Sequence, residues 1–213
     1  MSSHLRRQMD KLQKDLLGLA DRVDHRLHDV IEALYAGDVD RLHALIHSDS
    51  EIDAIEVDLE EECLHALALY QPVAFDLRFV VAVMKINVNL ERIADLVVNI
   101  ATVGRRLIEE GGVIEELFDF KSLGQQVQTM LKRSILALVH IDADLAQSIR
   151  EEDNQIDQLH LAGYEKASKY METHTDRIRS TIKMLSILRY IERIGDHCTN
   201  IAEDILYLSK GEI

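Results

Sequence analysis

The segment ERIADLVVNIA at residues 91–101 returns near the end of the chain as ERIGDHCTNIA at residues 192–202. Each copy sets an acid, an acid and an amide four residues apart: Glu91, Asp95 and Asn99 in one, Glu192, Asp196 and Asn200 in the other. The windows 86–101 and 187–202 agree at eight of sixteen positions, with Glu91 and Glu192 standing 101 positions apart. Earlier in each half the offset is 104, and it carries Asp38 onto Asp142, Asp49 onto Asp153 and Asp53 onto Asp157. The three-residue change falls in the segment containing Pro72. Self-similarity on this scale marks a tandem repeat of one supersecondary unit.

Around the repeated segment, Val83, Ile86, Leu90, Ile93, Val97 and Ile100 recur at alternating steps of three and four. Met184, Ile187, Ile191, Ile194, Cys198, Ile201, Ile205 and Leu208 do the same. That period predicts a helical seam buried against neighbouring helices in a coiled-coil-like bundle, with Cys198 as a small core side chain. One proline and nine glycines in 213 residues leave too few breakers for the turns of a β-rich fold.

The breaks that do occur divide the chain. Gly37 and Asp38 read as a C-cap followed by an N-cap, and Pro72 closes one helix and opens the next. Gly111-Gly112 is the only double glycine and is the expected boundary between halves, residues 1–111 and 112–213. Softer breaks fall near His140–Asp142 and Thr173–Thr175. Six helices follow, at 4–36, 39–70, 73–109, 115–140, 143–172 and 176–209. The expected fold is all-α, a tandem repeat of two antiparallel three-helix bundles.

Composition narrows the function. A formal charge of −14 without any Lys/Arg-rich run argues against nucleic-acid binding and against attraction to anionic lipid. The charged N-terminal stretch lacks a signal core, and no apolar run is long enough to span a bilayer. Two cysteines, Cys63 and Cys198, without paired spacing suit a reducing compartment, so a cytoplasmic protein is expected.

Residues four apart on a helix form a stripe, so Glu91, Asp95 and Asn99 line up beside one seam. Glu192, Asp196 and Asn200 line up beside the other, with Asp204 extending the row. Like charges at that spacing repel and need compensation. Arg92 and Arg193, three residues before each aspartate, could supply it as ordinary surface ion pairs. The other compensation is a cation. Carboxylates and an amide oxygen are hard ligands suited to Mg, Mn, Ca or, with bridging carboxylates, iron. A neighbouring antiparallel helix would add Asp49 and Asp53 in the first half and Asp153 and Asp157 in the second. Two facing acid stripes per half exceed what salt bridging requires.

Other motifs carry less. His25/His28 and His43/His47 have ligand-like spacing but no counterpart in the other half, and read as surface histidines. Glu62-x-x-His65 is half of a ferritin-type di-iron motif whose second copy is missing; Asp157-x-x-His160 is the nearest approach. No phosphate-cradling glycine loop or strand-bound serine nucleophile is present. A signalling adaptor is therefore the leading class, with a carboxylate-bridged metalloenzyme as the alternative and a purely structural coiled-coil protein third.

The stretches PVAFDLRFVVAVMKINVNLERIADLVVNIA (72–101) and LRYIERIGDHCTNIAEDI (188–205) resemble the two signature segments of the PhoU family of phosphate-specific transport accessory and regulatory proteins. The likeness covers essentially the whole chain and includes Pro72, Ala74, Asp76-Leu77-Arg78 and both Glu-Arg-Ile-x-Asp cores. It implies two three-helix bundles that bind metal clusters, with Fe, Zn, Mn or Mg in range. Contacts are implied at Glu91, Asp95, Asn99, Glu192, Asp196 and Asn200, facing Asp53 and Asp157. It further implies a dimer that restrains phosphate uptake and keeps a phosphate-sensing histidine kinase off, in contact with the ATPase of a phosphate ABC transporter. Such a protein would meet the inner membrane only through protein partners. One departure stands out: Arg179 matches Arg78, but Arg177 replaces Asp76 in the second half.

Overall fold

The computed structural model describes residues 3–47, 50–112 and 117–211, and these are helical with no strand among them. The helices are α1 (Ser3–Ala36), α2 (Val39–Ile46), α3 (Ser50–Tyr70), α4 (Ala74–Glu109), α5 (Phe120–His140), α6 (Ala143–Thr173) and α7 (Ile178–Lys210). A 3-10 turn at Thr175–Arg177 leads into α7.

The ends of these helices follow local chemistry. Gly37 takes φ +66°, and the Asp38 carboxylate accepts a hydrogen bond from the Arg41 amide at 2.9 Å to start α2. Between α5 and α6, Ile141 adopts a left-handed φ of 51°. Asp142 then caps α6 by accepting from the amides of Asp144 and Leu145, both at 3.0 Å. Left-handed geometry is unusual for a β-branched residue. Around Pro72, Gln71 and Ala74 take φ of 44° and 50° to turn the chain from α3 into α4.

Two expected helices differ. The segment 39–70 is not continuous: α2 ends at Ile46, with the His47 amide bonding back to Ala44 O, and α3 begins at Ser50. The sequence His47-Ser-Asp-Ser-Glu51 spans this break, and its short polar side chains favour caps over helix interiors. The helix expected from 115 begins instead at Phe120, where the Asp119 side chain accepts from the Ser122 amide at 2.9 Å. Positions 115–116 of that expectation lie outside the described residues.

In repeat terms α1 and α4 correspond to α5 and α7, and α2 and α3 together correspond to the single helix α6, residues 143–173 falling on 39–69 by the 104 offset. All fourteen predicted seam residues, from Val83 to Ile100 and from Met184 to Leu208, are at most 1% exposed. Within the first half α1, α3 and α4 pack on one another and α2 closes on α1 and α4; α5, α6 and α7 pack likewise. Between the halves α4 meets α7 and α1 meets α5. The first and last helices of each half thus touch their own counterparts, as a local two-fold relation would place them, while α3 and α6 lie on the outside. Gly124 makes the α1–α5 approach possible, since a Cβ there would lie 2.5 Å from Ile31 Cδ1. The buried side chains of both halves form one continuous core.

Candidate metal centre

Antiparallel packing of α6 on α7 sets one acid stripe against another. Asp153, Asp157 and Asp196 each offer a carboxylate oxygen within 4.8 Å of the others. Two full charges at that distance repel by roughly 1 kcal/mol in water and about 3 kcal/mol in a partly dry setting. The effect is visible in their acidity. Burial raises the Asp153 carboxyl above the ordinary aspartate range, and the charges of Asp157 and Asp196 raise it further. Asp196 is raised by burial and then by Asp157. Glu192, one turn before Asp196, is raised by burial and then by Asp196, Asp157 and Asp153.

Three polar atoms at this place are shut off from solvent and unpartnered: Asp153 Oδ1, His160 Nε2 and Thr199 Oγ1. The Thr199 hydroxyl lies near enough to oppose the Asp153 shift, yet neither it nor Asp153 Oδ1 completes a hydrogen bond. His160 stands one turn beyond Asp157, with Nδ1 3.4 Å from Glu192 Oε1. Burial lowers its pKa, against the pull of Asp157 and Asp196 in the other direction. Clustered carboxylates, a buried imidazole nitrogen and orphaned oxygen atoms fit a divalent cation, which would satisfy the orphans and cancel the repulsion at once. Asp153, Asp157 and Asp196 are the residues that would hold it, with Glu192 and His160 beside them.

The first half has acids at the equivalent places, but among the described residues the group with ligand atoms within 4.8 Å of one another is the one in the second half. Glu91 on α4 is raised by burial, then by Asp95, with Glu56 and Asp53 of α3 adding to the effect. Glu56 is itself raised by burial and by Glu60 and Asp53. Here the compensation expected of a salt bridge is present: Arg92 lies 3.5 Å from Glu91 and 3.6 Å from Asp95. Among the described residues no ion pair joins Arg193 to Asp196. Asp49, expected to complete the first site, lies outside the described residues.

The amides do not belong to these clusters in the same way. Asn200 reaches across to α4, its Nδ2 3.5 Å from Asn89 Oδ1, which also lies 2.9 Å from His197 Nδ1. Asn99 is exposed on α4. Asp204, which extended the stripe by spacing, is 8% exposed and pairs with Lys85 of α4 at 3.0 Å. His43 and His47 face each other, with their Nε2 atoms 3.2 Å apart. Glu62 is held by Lys11 and Gln8, both at 2.7 Å, and the Cys63 and Cys198 thiols are buried. Sequence reasoning passed over Glu56 and Thr199, and met His160 only as the nearest approach to a second di-iron half-motif. The signal that finds the first two is the repeat offset of 104, which carries Glu56 onto His160.

No described helix is long and apolar enough to cross a membrane. Comparison with known proteins agrees with this architecture. The PhoU domain model matches residues 16–103 and 120–205. The chain is 31% identical over 211 residues to the phosphate-specific transport system accessory protein PhoU homolog of Pseudomonas aeruginosa, covering 99% of this chain and 87% of the relative. It is 31% identical to the Escherichia coli phosphate-specific transport system accessory protein PhoU, covering all of this chain and 88% of that one. The crystal structure of PhoU from Pseudomonas aeruginosa superposes with a TM-score of 0.93 at 31% identity, over 97% of this chain and 99% of the other. That of the phosphate transport system regulatory protein PhoU from Streptococcus pneumoniae gives 0.87 at 29% identity, over 98% of each chain. The two matched segments together span most of the sequence, and the chain belongs to the PhoU family.

Proposed function

We propose that this chain is an accessory regulator of phosphate uptake that works by contact and not by catalysis. Its observational support is an acidic cluster between α6 and α7 in a chain whose relatives are named accessory and regulatory proteins of phosphate transport. In this reading it is a cytoplasmic adaptor that meets the ATPase of a phosphate ABC transporter and a phosphate-sensing histidine kinase. It restrains both when phosphate is plentiful, self-associates as a dimer, and reaches the membrane only through those partners.

Metal loading is part of the proposal. A cation bound by Asp153, Asp157 and Asp196 would neutralise the cluster and tie α6 to α7, and one among Asp53, Glu91 and Asp95 would tie α3 to α4. The chain's own residues set the shape of the surface: the seam fixes the helix pairs, and the acids fix where they can be clamped.

The test is genetic and biochemical. Removing the protein from its host should raise phosphate uptake and starvation signalling in phosphate-rich medium. Wild type should restore restraint, and the double variant Asp153→Asn/Asp196→Asn should restore it less well. Uptake and signalling unchanged by removal would overturn the regulatory reading. The metalloenzyme alternative predicts turnover by the metal-loaded protein alone, without any partner.

A further inference from the structure

One pair of side chains takes no part in the acid clusters. His43 and His47 stand four apart at the end of α2, and the second half has no such pair: the 104 offset places Gln147 and Glu151 there. Leu42 and Leu45 turn one face of α2 into the core, and both imidazoles lie on the exposed face. A step of four sets two side chains on one stripe. Here it brings the rings together, with their Nε2 atoms 3.2 Å apart, their centroids 4.5 Å apart and an interplanar angle of 61°. The rings therefore converge at their Nε2 edges and do not stack.

That separation has a chemical meaning. Imidazole binds zinc at about 2.0–2.1 Å, so two such nitrogens stand about 3.3 Å apart on a tetrahedral ion and about 2.9 Å apart at a right angle. The pair, at 3.2 Å, falls between these limits. Without a metal, one proton can sit between the two nitrogens, and two imidazolium rings at this distance repel. A cation takes both lone pairs instead, each ring keeping its proton on Nδ1. The position favours positive charge as well. His47 is the C-cap of α2, and its backbone amide turns back to Ala44 O and Leu45 O, so the pair straddles the last turn, at the negative end of the helix dipole.

We propose that His43 and His47 form a two-point chelate for a borderline transition cation, zinc or nickel, that clasps the last turn of α2. Imidazole suits these ions, whereas magnesium and calcium prefer carboxylate and water. Water fills the remaining coordination positions. An eight-residue helix has little stability of its own, and a bridge from position 43 to position 47 fixes its end just before α3 begins. The site differs from the acid cluster in ligand type and in place, since α2 packs on α1 and α4. It stands or falls independently of the metal loading proposed for the acids.

The test is zinc chloride added to chelator-stripped full-length protein in excess magnesium, followed by NMR of the histidine ring signals. In wild type the His43 and His47 rings should shift together and saturate at one ion per pair. His43→Gln should weaken the response of His47 by at least roughly tenfold, the lower end of the loss when even an outer-shell partner of a ligand is removed. Asp153→Asn/Asp196→Asn should leave the pair's response unchanged, which separates this site from the acid cluster. Gln147→His/Glu151→His should add a second pair of rings that respond together, a gain that misfolding cannot produce. Rings that do not shift with zinc, rings that titrate apart from each other, or a His47 response that survives His43→Gln intact would overturn the chelate. So would loss of the response in Asp153→Asn/Asp196→Asn.

Discussion

Asp153 concentrates the tension of the second site in one side chain. It sits behind Gly195, carries a buried oxygen with no partner, and faces two further carboxylates. Its folded pKa is raised, first by burial, so the folded chain holds a proton there more readily than the unfolded chain does. The ionised form consequently costs the fold stability at neutral pH, and this cost fades as pH falls toward the ordinary aspartate range. In chelator at neutral pH, Asp153→Asn should be more stable than wild type by about 0.2–1 kcal/mol, the scale of a partly exposed charge pair. The margin should close on acidification. With zinc at 100 times its dissociation constant the order should invert, because wild type gains about 2.7 kcal/mol by mass action. Thermal melts across pH, with and without zinc, read both signs. A chelated Asp153→Asn protein less stable than wild type at neutral pH would mean that the carboxylate is a structural acceptor.

The antiparallel pair α4 and α7 shows what an element inherits from its sequence and what it acquires from its neighbour. Lys85 meets Asp204 at 3.0 Å, the ammonium also lying 5.8 Å from the Tyr207 ring centre, and burial raises the Asp204 carboxyl despite this partner. Lys85→Met should cost about 1–3 kcal/mol at neutral pH by stranding a buried acceptor. Part of that should return as pH falls and Asp204 takes up a proton, a recovery visible in urea midpoints. Adding Asp204→Leu should recover stability at all pH values, since replacing both partners leaves no stranded charge. The seam and most helix ends were legible in the sequence because they depend on local period and capping chemistry: Gly37, Asp38, Pro72 and Asp142 act within a turn of themselves. The placement of Asn200 and Asp204 was not. Each step of four advances about 40° around a helix, so Asn200 lies about 80° and Asp204 about 120° from Glu192. Both turn away from α6, where the acids cluster, toward α4. His160 was noticed for its spacing from Asp157 but not for its place: its neighbour Glu192 comes from another helix, and only the fold brings them together. The end of α2 at Ile46 was not read from the sequence, because the strong apolar pattern on either side of it reads as one helix.

At the scale of the whole molecule, the repeat does not amount to two independent bodies. The core is continuous, α4 and α1 of the first half are covered by α7 and α5 of the second, and Ile31 packs where a Cβ on Gly124 would stand. Separating the halves would expose the flanks of both central helices, at a cost of about 25 cal/mol for each Å² of apolar surface. The chain should therefore unfold in one transition, with far-UV circular dichroism and near-UV tyrosine signals coinciding in urea. Residues 1–111 alone should either fail to fold or self-associate through the face that α5 and α7 normally cover. Cooperativity also links the two acid sites. Zinc bound between α6 and α7 should shift the whole transition, and hydrogen exchange of the slowest amides in α1 and α4 should slow with those of α7, because they exchange only through global opening. Protection confined to α5–α7, or two separated transitions, would show that each half folds alone and that the interface between them is only a docking contact.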